Sequence, residues 1–430
     1  MAFNKKIAQD EARRCPQCAE ATCLAGCPLG IDIPGFIRLL REGDTAGALD
    51  RIKEQNPFAS ICGRICPAPC ERACIFYADG QPIPIRELEC YAADNGSSKL
   101  KTASVPQKEK VAVIGTGPGG MSAAYYLAFQ NFQVTVFEAL HGPGGTLRYA
   151  IPDFRLSQKV LDEQFDLLNS LKVEIKTDKV FGPSLRVDEI FMKGYKALLL
   201  ATGASVPVMR DIRGIGFSGV YYDHEFLCRL QSIGKDGVVA QARRQKMPGL
   251  KTVVIGRGPA AFDTARMSAR LGSQVSIIID GFEEETGVSD DMRKEAQQEG
   301  VKILSLRLMG IVGNDNGFVR GVECQNMEII EGQGGLKLEV SKEAPFILEA
   351  DTVIIANGHK PNNLLRHYLP QLKHDDKGLL WTDGKTGMTS MERVFACGSL
   401  INPDSSVAQA IASGKMAAKK IIQYLDHEKN

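Results

Sequence analysis

Val111-Ala-Val-Ile114 is a short apolar run, and Gly115-Thr-Gly117-Pro-Gly119-Gly120 follows it directly. The next segment, Met121 to Phe129, has the composition of a helix. A buried strand, a glycine turn and a helix in this order are typical of a dinucleotide-binding α/β unit. The sequence therefore predicts a nucleotide-binding fold in this part of the chain.

The glycines of this turn have separate roles. Gly115 makes the tight turn, Gly117 lets a pyrophosphate approach the backbone, and Gly120 lets the helix pack closely on the strand. The N-terminus of the helix then faces the phosphates. Glu138 follows the second strand, Val134-Thr-Val-Phe137, where its carboxylate would hold the adenosine ribose. The alternative is a Rossmann fold that has lost its nucleotide.

The same arrangement occurs again at Val253-Val-Ile255, with Gly256-Arg-Gly258-Pro-Ala260-Ala261 and a helix through Leu271 after it. Ala201-Thr-Gly203 lies between the two copies, and Val353-Ile-Ile-Ala356-Asn357-Gly358 follows the second. This order indicates a first domain that the second interrupts. We expect a flavin domain of residues 107–218 and 344–430, with a nicotinamide-binding domain, 219–343, inserted in it.

The C-terminal segment has the features of the second half of a flavin pocket. Its candidate contacts are Gly398, Ser399, Ser406 and Val407. A helix that begins near Ser405 or Ser406 would direct its positive N-terminal end at the isoalloxazine and favour an anionic reduced flavin. The alternative is a plain terminal helix.

The choice between NADH and NADPH depends on the residues after Val275-Ser-Ile-Ile-Ile279. That strand runs into Asp280 and then Glu283-Glu-Glu285, and no Lys or Arg occurs between Leu271 and Met292. Carboxylates would repel a 2′-phosphate, whereas an acid suits a free 2′-hydroxyl. The sequence therefore favours NAD(H). Arg257, in the glycine turn, is the main contrary evidence.

Eight of the twelve cysteines lie near the N-terminus, as Cys15-x2-Cys18-x4-Cys23-x3-Cys27-Pro28 and Cys62-x3-Cys66-x3-Cys70-x3-Cys74. Such thiolate groups are typical of iron–sulfur or zinc sites. An iron–sulfur site is favoured over a zinc site because the downstream motifs are typical of redox-cofactor binding. Disulfide bonds are the least favoured interpretation of these cysteines. Residues 1–106 are predicted to form a small helical domain that metal stabilises.

Composition excludes several classes of protein. Lys plus Arg (52) almost cancel Asp plus Glu (51) in 430 residues, so no global charge favours nucleic acid or an anionic membrane. We expect a cytoplasmic protein, because no signal peptide precedes the charged N-terminus and the most apolar stretch, 197–208, is too short to span a bilayer. No Cys-x-x-Cys follows residue 74, which argues against a dithiol reductase.

A further phrase, Gly144-Gly145-Thr-Leu147-Arg-Tyr-Ala-Ile151-Pro-Asp-Phe-Arg155-Leu156, completes a family resemblance. Together with the cysteine runs and both glycine turns, it resembles the small subunit of bacterial glutamate synthase, nearly end to end. The chain is also similar to the N-terminal half of dihydropyrimidine dehydrogenase and to the large subunit of electron-bifurcating NADH-dependent ferredoxin:NADP oxidoreductase. The resemblance implies an α/β fold with two Rossmann-like domains, FAD, a nicotinamide site and two [4Fe-4S] clusters in a preceding all-α domain.

The resemblance also implies how the cysteine runs interleave. One cluster would be held by Cys15, Cys18, Cys23 and Cys74. The other would be held by Cys27, Cys66, Cys70 and Glu89. Cys90 is a rival of Glu89 because a thiolate is a softer ligand. Cys62, one helical turn before Cys66, is expected to be a bystander.

Arg155 matches a flavin-contacting arginine of the family, and Gly145 and Leu147 belong to the same phrase. Two positions depart from the family pattern. Relatives usually carry a basic pair where Asp280-Gly281 stand, which agrees with a preference for NAD(H). They carry an aspartate where Ser399 stands, and an uncharged hydroxyl makes a weaker hydrogen bond to the flavin ribitol.

The predicted function is electron transfer by one subunit of a complex. A hydride would pass between NAD(H) and FAD, and single electrons would pass through the clusters to or from a redox partner subunit. The chain carries no domain for reduction of an organic substrate, so we expect a glutamate-synthase-like or electron-bifurcating assembly. The alternatives are a stand-alone diaphorase that uses ferredoxin or quinone and a non-enzymatic scaffold.

Overall fold

The computed structural model describes residues 3–97, 107–231, 248–282, 286–332 and 335–427, without the side chains of 331, 332, 335 and 336. Contacts divide the chain into two compact units. The first contains residues 1–148, 154–204 and 361–430, and the second contains 149–153 and 205–360. The domain boundaries given above stay a prediction.

The N-terminal part of the first unit is helical. Its helices are α1 Lys5–Arg14, α2 Thr22–Gly26, α3 Ile33–Glu42, α4 Thr45–Lys53, α5 Ala59–Ile65, α6 Pro69–Arg72 and α7 Ile85–Asn95. Asp32 caps α3 by accepting a hydrogen bond from the Gly35 N–H (3.0 Å), and Gly43 ends that helix at φ +86°. These turns bring the two cysteine runs into one small helical body.

The α/β part of the first unit is built on a parallel sheet. Its strands are β1 Lys110–Ile114, β2 Gln133–Phe137, β3 Glu174–Lys176, β4 Tyr195–Leu200 and β15 Val394–Ala396. They lie in the order β15-β4-β1-β2-β3. The helices are α8 Pro118–Phe129, α9 Thr146–Tyr149, α10 Gln158–Ser170, α11 Val187–Met192, α15 Leu364–Tyr368 and α16 Val407–His427. Since β15 comes from the C-terminal segment, the predicted discontinuous flavin-type fold is confirmed.

The second unit has its own sheet. Its strands are β6 Val220–Tyr222, β7 Lys251–Ile255, β8 Gln274–Ile279, β9 Lys302–Gly313, β10 Val319–Gly332, β11 Gly335–Val340, β12 Phe346–Glu349 and β13 Thr352–Ile355. The order is β11-β10-β9-β8-β7-β13-β6, with β12 paired to β10. The strands from β9 to β6 are parallel, whereas β10 to β12 form an antiparallel arm.

Three helices and a short ribbon complete the second unit. The helices are α12 Asp223–Gln231, α13 Pro259–Arg270 and α14 Asp290–Gln298, and β5 Val206–Pro207 pairs with β14 His359–Lys360. Phe226, Phe262 and Ile277 are fully buried between the helices and the sheet. Across the described residues, no helix has the length and apolar character that a membrane span needs.

Candidate functional site

The glycine turn of the first unit leaves an open cradle at the carboxyl end of β1. A Cβ on Gly115 would lie 2.5 Å from the Ala201 carbonyl oxygen, and one on Gly120 would lie 2.0 Å from the Gly115 oxygen. A Cβ on Gly117, in contrast, would have nothing within 4 Å. The first and third glycines are therefore needed for close packing, and the second faces free space where a pyrophosphate can approach. These residues fit a dinucleotide.

Glu138 is held beside this turn. Its carboxylate is buried, and it accepts hydrogen bonds from the Thr116 N–H (2.9 Å), the Thr116 hydroxyl and the Leu140 N–H (3.0 Å). Gly145 also reaches the turn, because a Cβ there would lie 3.1 Å from the Gly117 Cα. Leu147 is fully buried, and Arg155 is half-buried. The structure thus brings Glu138 and Gly145 to the turn, and their contact with a nucleotide stays a prediction.

The C-terminal helix α16 packs directly on the first turn of α8. Gly119 lies against Cys397 and Ala410, and the Ser122 hydroxyl donates to the Ile411 carbonyl (2.7 Å). Gly398 takes a left-handed conformation, φ +70°, and its N–H donates to the Ser413 hydroxyl (3.0 Å).

The N-terminus of α16 is capped. The Ser406 hydroxyl accepts from the Gln409 N–H (3.3 Å), and the Gln409 side chain accepts from the Ser406 N–H (2.8 Å). Val407 begins the helix, and Ser399 is half-buried in a short 3-10 helix, Gly398–Leu400, that follows β15. The predicted start of this helix near residues 405–406 is confirmed. Its contact with a flavin stays a prediction.

The second glycine turn lies between the ends of β8 and β13. A Cβ on Gly256 would lie 2.4 Å from the Ala356 oxygen, and the Gly256 N–H donates to the Ile278 carbonyl (3.2 Å). A Cβ on Gly258 would have nothing within 4 Å, so this turn also offers an open cradle. Ala260 and Ala261 form the first turn of α13. Asn357 and Gly358 follow β13 directly.

Asp280 stands at the end of β8, where the sequence places the ribose-binding acid. Its Oδ2 accepts a hydrogen bond from Nη1 of Arg307 (3.0 Å), a residue of β9. The sequence does not indicate Arg307, because it lies 27 positions after Asp280 and outside the segment between residues 271 and 292. Arg257 is exposed in the glycine turn. Glu283, Glu284 and Glu285 lie outside the described residues.

The four cysteines predicted for the first cluster line one cavity. Its thiols come from both cysteine runs: Cys15, Cys18, Cys23 and Cys74. Ile33, Ile37 and Ile83 form part of the wall. Burial raises the pKa of the Cys23 thiol to about 11, and the neighbouring Cys15 and Cys74 contribute to the increase. Thiols crowded in an apolar wall suit a positively charged metal centre, because iron stabilises their deprotonated form.

A second group forms around Glu89, which is buried in α7. Burial raises the pKa of Glu89 to about 8, and Asn56 donates to its Oε1 (2.9 Å). Burial also raises the pKa of Cys66 to about 12, with contributions from Glu89 and Cys27. Cys70 is buried next to Cys66, Cys27 and Glu89. The four predicted ligands of the second cluster are therefore neighbours.

The Cys90 thiol lies beside Asp94, 3.7 Å from its Oδ2. Burial raises its pKa to about 11, and its charged neighbours are Arg64, Asp94 and Glu87. Cys62 is buried among Glu89, Cys66 and Cys27, so its position alone does not set it apart from the ligands. In the described part of the chain, no three Cys, His, Asp or Glu side chains are close enough to hold a single metal ion. Both ligand sets stay predictions.

Comparison with known proteins identifies the family. Residues 1–100 match the family described as dihydropyrimidine dehydrogenase domain II, 4Fe-4S cluster. Residues 109–417, well over half of the chain, match the pyridine nucleotide-disulphide oxidoreductases. The chain belongs to this oxidoreductase family.

Its relatives are subunits of larger enzymes. The chain is 30% identical to the NADPH glutamate synthase small chain of Azospirillum brasilense, over 98% of this chain and 90% of that one. It is 28% identical to the Escherichia coli counterpart, over 99% of this chain and 93% of that one. The beta subunit of an NADP(+)-dependent formate dehydrogenase from Moorella thermoacetica is 28% identical over 94% of this chain and 60% of that one. The predicted membership of the glutamate synthase small-chain group is confirmed, and the chain is an oxidoreductase subunit.

Solved structures support the fold. FprA from Mycobacterium tuberculosis in complex with NADPH aligns with a TM-score of 0.60 at 17% identity, over 75% of this chain and 86% of that one. Thioredoxin reductase from Lactococcus lactis aligns with a TM-score of 0.54 at 20% identity, over 74% of this chain and 100% of that one. The predicted fold class, with FAD-type and nucleotide-binding domains after an iron–sulfur domain, is confirmed.

Proposed function

We propose that the chain is the electron-transfer subunit of a glutamate-synthase-like or electron-bifurcating complex. It exchanges a hydride between NAD(H) and FAD, and it relays single electrons through two [4Fe-4S] clusters to or from a partner subunit. The observation that carries this proposal is the coexistence, in one chain, of an open glycine cradle in each unit and two groups of neighbouring thiols.

In this proposal the first unit holds FAD. When bound, FAD accepts a hydride and passes electrons on one at a time. Gly117 leaves room for the pyrophosphate, and Glu138 orients the adenosine ribose. The capped N-terminus of α16 would present its positive end to the isoalloxazine, and Ser399 and Arg155 would be further contacts.

The helical part of the first unit holds the two clusters. We assign to one cluster Cys15, Cys18, Cys23 and Cys74, which share a cavity. We assign to the other Cys27, Cys66, Cys70 and Glu89. Glu89 is preferred over Cys90 because its carboxylate lies among the other ligands, whereas Cys90 lies beside Arg64 and Asp94. The proposed setting is the reducing cytoplasm, where thiols stay available to iron.

We propose NAD(H) as the preferred nucleotide of the second unit. Asp280 follows β8 next to the Gly256 turn, where an acid binds the ribose 2′-hydroxyl and repels a 2′-phosphate. Several relatives are named for NADPH or NADP(+), so this preference distinguishes the chain from them. A glutamate synthase of Saccharomyces cerevisiae named for NADH is 28% identical over 98% of this chain and 21% of that one.

The test is anaerobic purification from the native host, with metal analysis and identification of co-purifying proteins. NADH and NADPH are then titrated separately into the holoprotein, and the flavin absorbance is followed. The proposal predicts iron in the protein, a partner at fixed stoichiometry and bleaching at lower concentrations of NADH than of NADPH. Zinc in place of iron, or a flavin that neither nucleotide bleaches, would contradict it.

A further inference from the structure

A salt bridge lies at the ribose end of the second nucleotide site. The Arg307 guanidinium and the Asp280 carboxylate are 3.0 Å apart, and each side chain is 45% exposed. Both residues have access to solvent, so a nucleotide can reach either of them. The pair joins two neighbouring parallel strands, because Ile279 of β8 is in register with Ser305 of β9.

The position of the pair relates it to the glycine turn. The Gly256 N–H donates to the carbonyl of Ile278, two residues before Asp280, so the turn and the end of β8 are directly linked. In this fold the ribose of the bound nucleotide lies at the end of the strand that follows the glycine turn and its helix. Strand β9 continues well beyond Ser305, to Gly313, and thereby brings Arg307 to the same edge of the sheet.

We propose that Arg307 is a specificity-determining residue of this site. Its guanidinium holds Asp280 in place as the acceptor for the ribose 2′-hydroxyl, and its positive charge offsets part of the repulsion between Asp280 and a 2′-phosphate. The pair therefore sets a moderate preference for NAD(H), with NADP(H) still accepted. The inference rests on the proposed function of the second unit as a nicotinamide nucleotide site.

The physical reason is that the two charges act on the 2′ position in opposite directions. Asp280 alone would accept from a hydroxyl and repel a phosphate dianion, whereas Arg307 alone would donate to the phosphate in a charge-assisted hydrogen bond. Because the pair is half exposed, solvent screens each charge, so neither dominates completely. Removal of one partner should reveal the preference of the other.

The experiment measures binding without turnover. NAD⁺ and NADP⁺ are titrated calorimetrically into the oxidised holoprotein, and the ratio of the NADP⁺ to the NAD⁺ dissociation constant is compared between proteins. The variants are Asp280→Asn, Arg307→Met and the double variant. Arg229→Met is the matched control, because Arg229 pairs with Glu225 on α12 and is also about half exposed (53%).

Arg307→Met is expected to raise the ratio about tenfold, and Asp280→Asn to lower it about tenfold. The double variant should bind the two nucleotides about equally, and Arg229→Met should match the wild type. An unchanged ratio in Arg307→Met, or an equal loss of affinity for both nucleotides, would overturn the inference. If no protein of the set binds either nucleotide, the proposed function itself fails, which is a separate outcome.

Discussion

Substitution of Gly414 by alanine should weaken the binding of FAD in a protein that still folds. Gly414 lies in α16, and a Cβ there would be 2.0 Å from the Gly119 carbonyl oxygen and 3.0 Å from the Ser122 Cβ. Ordinary contacts of a Cβ begin near 3.4 Å. The obstacle is backbone and cannot rotate away, so α8 and α16 must move apart by about 1 Å or more.

The displaced element is the first turn of α8, which forms the proposed pyrophosphate cradle. Overpacking of this kind costs roughly 1–3 kcal/mol. The flavin-free protein can relieve the strain by moving α8. FAD binding then requires the strained position of α8 again, so the dissociation constant for FAD should rise about 5- to 150-fold. Alanine also gains about 1 kcal/mol over glycine in a helix, so thermal stability alone is a poor readout.

The assay is the ratio of flavin to protein absorbance after purification, followed by titration of the flavin-free protein with FAD. Met416→Ala is the matched control, because Met416 lies on the same helix and is 51% exposed. The control should bind FAD like the wild type. A Gly414→Ala protein with wild-type FAD affinity would refute the close-packing argument.

Three further predictions concern single carboxylates and one thiol. Glu89→Ala should about halve the iron content, whereas Cys90→Ala should leave it unchanged; equal losses would contradict the ligand assignment. Glu138→Gln should weaken FAD binding about tenfold in the same titration, because an amide NH₂ cannot accept the backbone hydrogen bonds; an unchanged affinity would contradict this role. Burial raises the pKa of Glu299, but hydrogen bonds from Arg266 and Arg270 outweigh it and lower the pKa below its usual 4.5. The Glu299→Gln protein should therefore melt below the wild type at pH 7, and the two should converge as the pH falls below 4.5 and through the lowered pKa of Glu299; a constant difference would contradict this.

The nucleotide-binding units could be predicted because the residues that define each unit lie close together in the sequence. A strand, a glycine turn and a helix follow one another within about twenty residues. Each glycine is required by the steric conditions within its own turn. The conformation of Gly115 and the open space at Gly117 agree with roles assigned from the sequence. Caps such as Asp32 and Gly43 are equally local.

The cysteines that share a cluster could not be identified from neighbouring residues in the sequence. Spacing within each run predicts a metal site, but the partner of a thiol depends on the path of the chain between the runs. Cys74 shares a cavity with Cys15 because α6 and the loop after it return toward the first run. The family resemblance supplied this pairing, and the residues alone left it open.

Arg307 could not be predicted from local sequence. It is separated from Asp280 by 27 positions and becomes its neighbour only through the parallel pairing of β8 and β9. Glu89 and Cys90 have different neighbours, Asn56 and Asp94, for a similar reason. Adjacent residues of a helix point in directions about 100° apart, so only the packing of α7 decides which one joins the thiols.

In the proposed function, electrons pass from the nucleotide through the flavin to the iron–sulfur clusters. The most direct measurement is to add NADH anaerobically to the isolated holoprotein and to follow flavin absorbance and the electron paramagnetic resonance of the clusters together. We expect flavin bleaching together with reduced-cluster signals, and no cluster reduction in flavin-depleted protein. Clusters that stay oxidised while the flavin is bleached, or that are reduced equally well without flavin, would contradict it.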